Sequence, residues 1–279
     1  MEKDTAKYVK VERLLGEQLV QKMPRCIINY IKKIIHETEI NESIDFSQGA
    51  MGADFFKPGL EYLDIAYEAH GVENLPPNDG KRYIFTCNHP LGGPEALIIG
   101  EVIRQYFGNN IRFIVNKLLT ELKPLSPVFI PVDLLSNRQT RDLSINIDNL
   151  FQSDSQICLF PAGTCAKKIK GKITEMPWKK MFVTRAKVSQ RDVIPVHCTG
   201  HNSNWYYFLS NVSRFFGMKM NLGMFYLVDE LFKNKHKTFT VTFGKPIAWQ
   251  TFDIAKTDVQ WANEVREKVL TLDKMNVTV

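Results

Sequence analysis

Tyr83-Ile84-Phe85-Thr86-Cys87-Asn88-His89-Pro90-Leu91-Gly92-Gly93-Pro94-Glu95 holds the junction from which the rest of the chain is read. Residues 83–87 are a short run rich in aromatic and β-branched side chains, the pattern of a strand. The run stops at Asn88-His89-Pro90, and Ala96 to Phe107 then follows a helix pattern. The alternation continues outward. Ile111 to Val115 and Val128 to Val132 predict strands, and Asn137 to Phe151 a helix. Gln156 to Phe160 predicts a strand stopped by Pro161-Ala162-Gly163, and Trp178 to Val188 a helix. Val193 to His197 and Phe239 to Phe243 predict two more strands, and residues 258–273 a closing helix. Strands alternating with helices imply an α/β fold, with a mixed, largely parallel central sheet flanked by helices. Ligands of such sheets sit beyond the strand ends, where loops carry the polar groups. Two strand ends here are chemically loaded, 88–95 and 161–172.

Upstream of that core the pattern is helical. Val9, Val11, Leu14, Leu15, Leu19 and Val20 recur at helical spacing. Pro24 then starts a second helix that carries Ile27, Ile28, Tyr30, Ile31, Ile34 and Ile35, interleaved with Lys32, Lys33 and His36. Such a helix packs on the main domain or lies on a membrane surface with its basic residues at the headgroups. Turn-prone Asn41, Ser43, Gly49 and Gly52 mark a junction over 41–57. The organisation expected is a helical segment over residues 1–45 and the main domain over 46–279. Phe56, Leu60, Leu63, Ile65 and Ala66 predict a further helix over 55–69.

Composition narrows the function classes. Of 279 residues, 44% are hydrophobic and 24% charged, which supports a sizeable core and no disordered tract. A net charge of +6 suits an anionic surface or substrate. No run of five like charges occurs and acidic residues are interspersed, so a nucleic-acid partner is not expected. Five cysteines without a CxxC pair argue for reduced thiols in a cytosolic compartment, not a disulfide framework or a zinc site. The start, Met1-Glu2-Lys3-Asp4, lacks the apolar region of a signal peptide. No stretch of ~18 apolar residues is present, so no transmembrane helix is expected and a membrane would be met from one side.

Three constellations could carry chemistry. A histidine directly after a strand sits at a loop mouth, and Glu95 follows His89 by six residues at the expected start of a helix. A turn through Gly92-Gly93 would bring the carboxylate to one imidazole nitrogen and leave the other free to accept a proton. The plainer alternative is a turn histidine beside an acid that favours a helix N-terminus. The second is Phe160-Pro161-Ala162-Gly163-Thr164-Cys165-Ala166-Lys167-Lys168-Ile169-Lys170-Gly171-Lys172, a strand end with a Pro/Gly turn and then four lysines in six residues. It offers backbone N–H groups and cations to a phosphate or carboxylate, or else is a solvated basic loop. The third, His197-Cys198-Thr199-Gly200-His201, has no third metal ligand in view, and adjacent strand residues face opposite ways. Trp205, Tyr206, Tyr207, Phe208, Phe215 and Phe216 form a dense aromatic cluster, read as core packing or as an apolar surface near lipid.

Taken in order, these segments resemble the glycerolipid (lysophosphatidic-acid type) acyltransferase family. Asn88-His89 through Glu95 looks like its histidine-plus-acid block. Lys117 through Phe129-Ile130-Pro131-Val132-Asp133 is similar to the second block, Phe160-Pro161-Ala162-Gly163-Thr164 to the third, and Val193-Ile194-Pro195-Val196 to the fourth. The sequence departs from the pattern at Pro94, where the family's aspartate usually stands, and at Ala162, where most members have glutamate. A branch with His-Pro-x-Gly-Gly and the acid at the sixth place is the nearer match.

The resemblance implies an O-acyltransferase in which His89 is the general base and Glu95 its partner. Asn88, Gly92, Gly93, Lys117, Pro131, Gly163, Thr164, Lys167 and Lys168 would bind substrate, with Lys167 or Lys168 standing in for the usual arginine. Backbone N–H groups of Leu91-Gly92-Gly93 would hold the thioester oxyanion. The implied donor is an acyl thioester of acyl-carrier protein or CoA, as co-substrate with no further cofactor. The implied acceptor is a lysophospholipid such as 1-acylglycerol 3-phosphate. Two alternatives stand beside it: O-acylation of an N-acyl amino acid, giving an aminolipid, and a lipid-binding protein of this fold without turnover. The implied place is cytoplasmic, on the anionic inner face of the cell membrane.

Overall fold

The computed structural model describes residues 8–132, 141–216 and 222–275. The N-terminal part holds four helices, α1 (Val11–Leu15), α2 (Glu17–Val20), α3 (Arg25–Ile35) and α4 (Glu37–Phe46). Then follow α5 (Phe56–Leu63), β1 (Ala66–His70), β2 (Tyr83–Cys87), α6 (Pro94–Phe107), β3 (Ile111–Asn116) and β4 (Phe129–Val132). The middle carries α7 (Arg141–Gln152), β5 (Gln156–Leu159), β6 (Lys167–Ile169), β7 (Lys172–Thr174), α8 (Met181–Ser189) and β8 (Asp192–Cys198). The chain closes with α9 (Asn204–Phe215), α10 (Leu227–Lys233), β9 (Thr238–Phe243) and α11 (Asp258–Met275).

Seven strands form the central sheet in the order β1-β9-β8-β2-β5-β3-β4, and only β8 and β9 run antiparallel. The expected mixed, largely parallel sheet is therefore what the chain builds. Strand β2 lies between β5 and β8 and is buried at all five positions, as a parallel strand covered on both faces must be. Its alternate residues feed two cores. Phe85 and Cys87 pack with Phe56, Ile98 and Ile194. Ile84 packs with Ile157, Phe182, Val193 and Val265. The period-2 alternation thus fixes which way the strand's end, and so His89, faces.

Helix α7 and strand β5 are joined through a buried arginine. Arg191, fully buried, donates to the carbonyls of Phe151 at 3.0 Å and Ser155 at 2.6 Å, and also to that of Ser153. Burial pushes its pKa down to about 10, yet a cation at the carboxyl end of α7 suits the helix dipole. Arg191→Met is expected to lower stability by about 3–5 kcal/mol, because it strands buried acceptors. A denaturant titration monitored by circular dichroism measures this.

Four expectations need correction. Helix α5 stops at Leu63, because Asp64 turns left-handed (φ 47°) and its N–H closes on the Glu61 and Leu60 carbonyls. Ala66–His70 is then a strand beside β9, its half-buried Tyr67 and Ala69 alternating with exposed neighbours. The junction expected from residue 41 begins only after Phe46, where α4 ends. The lysine loop is a hairpin: Lys170 and Gly171 take φ of 48° and 80°, a two-residue turn matching the strand twist. Residues 204–215, read only as an aromatic cluster, form helix α9, capped by the Ser203 hydroxyl. Residues 137–140 of the helix expected over 137–151 and Asp133 of the second block lie outside the described residues. The N-terminal helices share a small core of Val11, Ile35, Ile40 and Ile44 that meets Val228 and Phe232 on α10. Among the described residues no helix is long and apolar enough to cross a membrane.

Candidate active site

His89 leaves the buried end of β2 and reaches a loop mouth with 19% of its side chain open. Its place is set before it by Asn88, whose amide accepts from Cys198 N at 2.8 Å and donates to Cys198 O at 2.9 Å. That side chain extends the β2–β8 pairing by one backbone-like step, so Asn88 positions the loop rather than facing a substrate. On one face the imidazole stacks on Phe160, with 4.2 Å between ring centroids and 23° between planes. Beneath it the His89 N–H donates to Glu175 Oε2 at 3.3 Å, and the His89 carbonyl accepts from Ala166 N at 2.8 Å.

Glu95 lies in the first turn of α6, behind Pro94, and is fully buried. His89 Nδ1 stands 2.9 Å from its Oε1. The same oxygen accepts from Leu91 N at 3.0 Å and Gly92 N at 2.7 Å, and Oε2 accepts from Gly93 N at 3.0 Å. The loop is a nest of backbone amides closed around a carboxylate. These amides are therefore committed to Glu95, and the expectation that they hold an oxyanion is corrected. Gly92 makes the nest possible at φ 92°, and a Cβ there would stand 2.7 Å from Leu227 Cδ2 and 2.9 Å from Cys165 Sγ. The acid at the sixth position thus works because Pro94 starts the helix and the glutamate reaches back over it.

The electrostatics follow from this cradle. Burial alone would raise the Glu95 pKa, but the bonds from His89 and the Gly92 amide bring it below the ordinary carboxylate value. Burial likewise opposes a charged His89, yet the neighbouring Cys165 sulfur and the Glu95 carboxylate outweigh it and hold its pKa well above 6.5. A buried anion bonded to Nδ1 leaves Nε2 as the exchanging position of the ring.

The other candidate residues sit around this loop at the same end of the sheet. Gly163 forms the turn after β5, with its N–H on the Phe160 carbonyl at 2.9 Å, and Thr164 follows it, partly exposed. Ala162 is buried in the second core, where a glutamate would bury its charge. Lys168 is already held, its Nζ 2.7 Å from Asn204 Oδ1. Lys167 follows the residue bonded to His89, and it makes no side-chain hydrogen bond or ion pair among the described residues. Lys117 and Pro131 are exposed on β3's end and on edge strand β4, two and three strands from β2. At ~4.8 Å per strand they stand roughly 10–14 Å away, within reach of an extended ligand but not of the imidazole. No group of three potential ligands fit to hold a metal ion occurs among the described residues.

Sequence reasoning named Cys165, Tyr206 and Tyr207 without placing them beside His89, and passed over Glu175. Cys165 packs with both tyrosines and with Leu227 behind the loop. Glu175 Oε1 accepts from Trp178 Nε1 at 3.0 Å, and burial raises its pKa. A single acid ahead of Met176-Pro177-Trp178 was the only sign of it.

A family model described as "Acyltransferase" matches residues 12–277, nearly the whole chain. The chain belongs to this acyltransferase family. Two curated relatives resemble it along their full length. One, from Bacteroides thetaiotaomicron, is 41% identical over 263 residues, covering 94% of this chain and 96% of its own. The other, from Phocaeicola vulgatus, is 40% identical over 275 residues, covering 98% of each. Both are named lyso-glycine lipid O-acyltransferase. The crystal structure of the 1-acyl-sn-glycerophosphate acyltransferase PlsC from Thermotoga maritima superposes with a TM-score of 0.51 at 17% identity, over 86% of this chain and 80% of that one. That likeness concerns the fold. This acyltransferase is thus an enzyme of the O-acyl-transferring class, and the expectation of a fold-sharing protein without turnover gives way.

Proposed function

We propose that this acyltransferase moves a fatty acyl chain from an acyl thioester of acyl-carrier protein or CoA to the hydroxyl of a lyso lipid with an amino-acid headgroup. The observation that carries the chemistry is the buried Glu95 carboxylate on His89 Nδ1. With Nδ1 engaged, Nε2 takes the proton of the acceptor hydroxyl as that oxygen attacks the thioester carbonyl. The tetrahedral adduct collapses, the C–S bond breaks, and the leaving thiolate takes the proton back from the imidazolium. Glu95 steadies the imidazolium between the two transfers.

The acceptor follows from the relatives and from the cations. Both relatives are named for a lyso-glycine lipid. Glycine has no side-chain hydroxyl, so an O-acylated N-acyl glycine must carry the new ester on its existing acyl chain, leaving a free carboxylate as the headgroup charge. One unengaged lysine, Lys167, beside the His89 segment suits a single carboxylate. This alternative acceptor is favoured over the 1-acylglycerol 3-phosphate of the family resemblance, for which neither relative is named. Lys167→Ala is expected to raise the acceptor KM about tenfold with a smaller change in kcat, the pattern of lost uniform binding, and Lys167→Arg to restore most of it.

Mass spectrometry of products tests the proposal. The chain is offered N-(hydroxyacyl)glycine or 1-acylglycerol 3-phosphate, each with acyl-carrier-protein and CoA thioesters. The expected result is an ester on the glycine lipid, formed at least about tenfold faster than on the phosphate. Equal or faster use of the phosphate overturns the acceptor, and no ester on either overturns the thioester chemistry.

A further inference from the structure

Helix α9 is apolar on two opposite sides, although it lies at the surface. Tyr206 and Tyr207 face inward and are buried against Cys165, behind the His89 loop. Outward, Trp205 is 48% exposed, Phe208 55%, Phe215 84% and the following Phe216 71%. The inner side also carries Ser210 and Ser213, so the apolar stripe of this amphipathic helix is turned to solvent, and an exposed apolar patch of this kind marks a contact. The patch runs on to the N-terminal helices: Trp205 stacks on Phe208, Tyr226 meets Trp205 edge-on at 6.3 Å, and its hydroxyl is bonded to that of Tyr30 on α3. Ile27 and Tyr30 are exposed there as well.

On the hairpin side of this face the charge is positive, whereas at the other end buried Glu230 of α10 holds the Ser203 cap. The β6–β7 hairpin is fastened to α9 by Lys168 Nζ on Asn204 and by Asn211 Nδ2 on the Lys168 carbonyl at 3.2 Å. Lys170 and Lys172 are exposed at its tip, and Arg214 is exposed on α9. Neither residues 167–174 nor 204–216 contain an acidic residue. Exposed aromatic rings beside lysine and arginine, with no acid between them, match an interface of acyl chains below and anionic headgroups above. A second copy is a poor occupant, since a two-fold contact through this face would set the lysine hairpins against each other.

We propose that the outer face of α9, with the β6–β7 hairpin beside it and Tyr30 and Ile27 at its far end, docks this protein on an anionic lipid bilayer. This rests on the reading above that both substrates are lipids or lipid-carrying. Docking by α9 sets the His89 loop about one helix diameter, ~10–12 Å, from the interface in which the lyso lipid is dissolved.

Flotation of the full chain with vesicles of phosphatidylcholine, alone or with about 30% phosphatidylglycerol, tests the surface. The parent is expected to bind the anionic vesicles at least about tenfold more tightly. Phe215→Ser with Phe216→Ser is expected to weaken binding to both vesicles about tenfold or more. The same pair keeps its melting curve and its turnover of short-chain substrates dissolved as monomers. Lys170→Glu with Lys172→Glu is expected to remove the preference for phosphatidylglycerol. Three results overturn the proposal: a parent that does not float, a phenylalanine pair that floats like the parent, or light scattering that shows a dimer dissolved by that pair. A parent that floats but leaves N-(hydroxyacyl)glycine unacylated sinks the proposed reaction and supports the docking surface.

Discussion

His89→Ala is expected to lower kcat/KM for acyl transfer by about 10²–10⁴-fold while the protein stays folded. The loss follows from what the imidazole touches. Its Nδ1 is spent on Glu95, which leaves Nε2 for the proton exchange that the proposed mechanism asks of it. Elsewhere near this end of the sheet, His197 is buried in β8 opposite Thr242 of β9, and the His201 ring sits on the Asn202 carbonyl at 3.0 Å. Folding is spared because the backbone contacts of residue 89, to Glu175 and Ala166, do not involve the ring. The stacked Phe160 loses a neighbour, which costs about 1 kcal/mol. Steady-state kinetics of the purified variant beside its thermal melt separates the two effects.

Glu95→Gln is expected to cost about 10²-fold or more in kcat and about 1–3 kcal/mol in stability. The substitution keeps the shape and removes the charge. A glutamine has one acceptor oxygen and one NH2 where the carboxylate accepts four bonds, from the ring and from the amides of Leu91, Gly92 and Gly93. One end of the cradle then sets donor against donor, so the loop loosens just where His89 must be held. The imidazolium of the proposed transfer step also loses its counter-charge. Kinetics and a denaturant melt of the variant show both losses, and a variant that keeps parental kcat would mean that Glu95 only shapes the loop.

Much of this site is readable because the local chemistry is strong. Strand β2 is apolar and β-branched or aromatic at most positions, Gly92-Gly93 interrupts any regular element, and Pro94 suits the first position of α6. That order places His89 and Glu95 six residues apart across one turn. The use of the turn's amides is not readable, since it depends on Gly92 adopting positive φ and on a glutamate long enough to reach back. Cys165, Glu175 and Tyr206 arrive from 76 to 117 residues downstream, on segments whose periodicity carries no trace of the contact. Strand β1 was hidden because Ile65 and Ala66 prolong the apolar spacing of α5, and only the left-handed turn at Asp64 separates them. The lysine run reads as a loop because four cations hide the two-residue turn at Lys170-Gly171.

The pH dependence of kcat/KM tests the central pairing most directly. The proposed mechanism needs His89 uncharged, and against burial Cys165 and Glu95 beside the ring together hold its pKa well above 6.5. The rate should therefore be low in acid and rise through an apparent pKa above the ordinary histidine value. In Glu95→Gln the counter-charge is gone, so the same limb should move to lower pH while the plateau falls. A parent profile that is flat from about pH 5 to 9, or a limb that Glu95→Gln leaves in place, would contradict a base at His89 governed by Glu95.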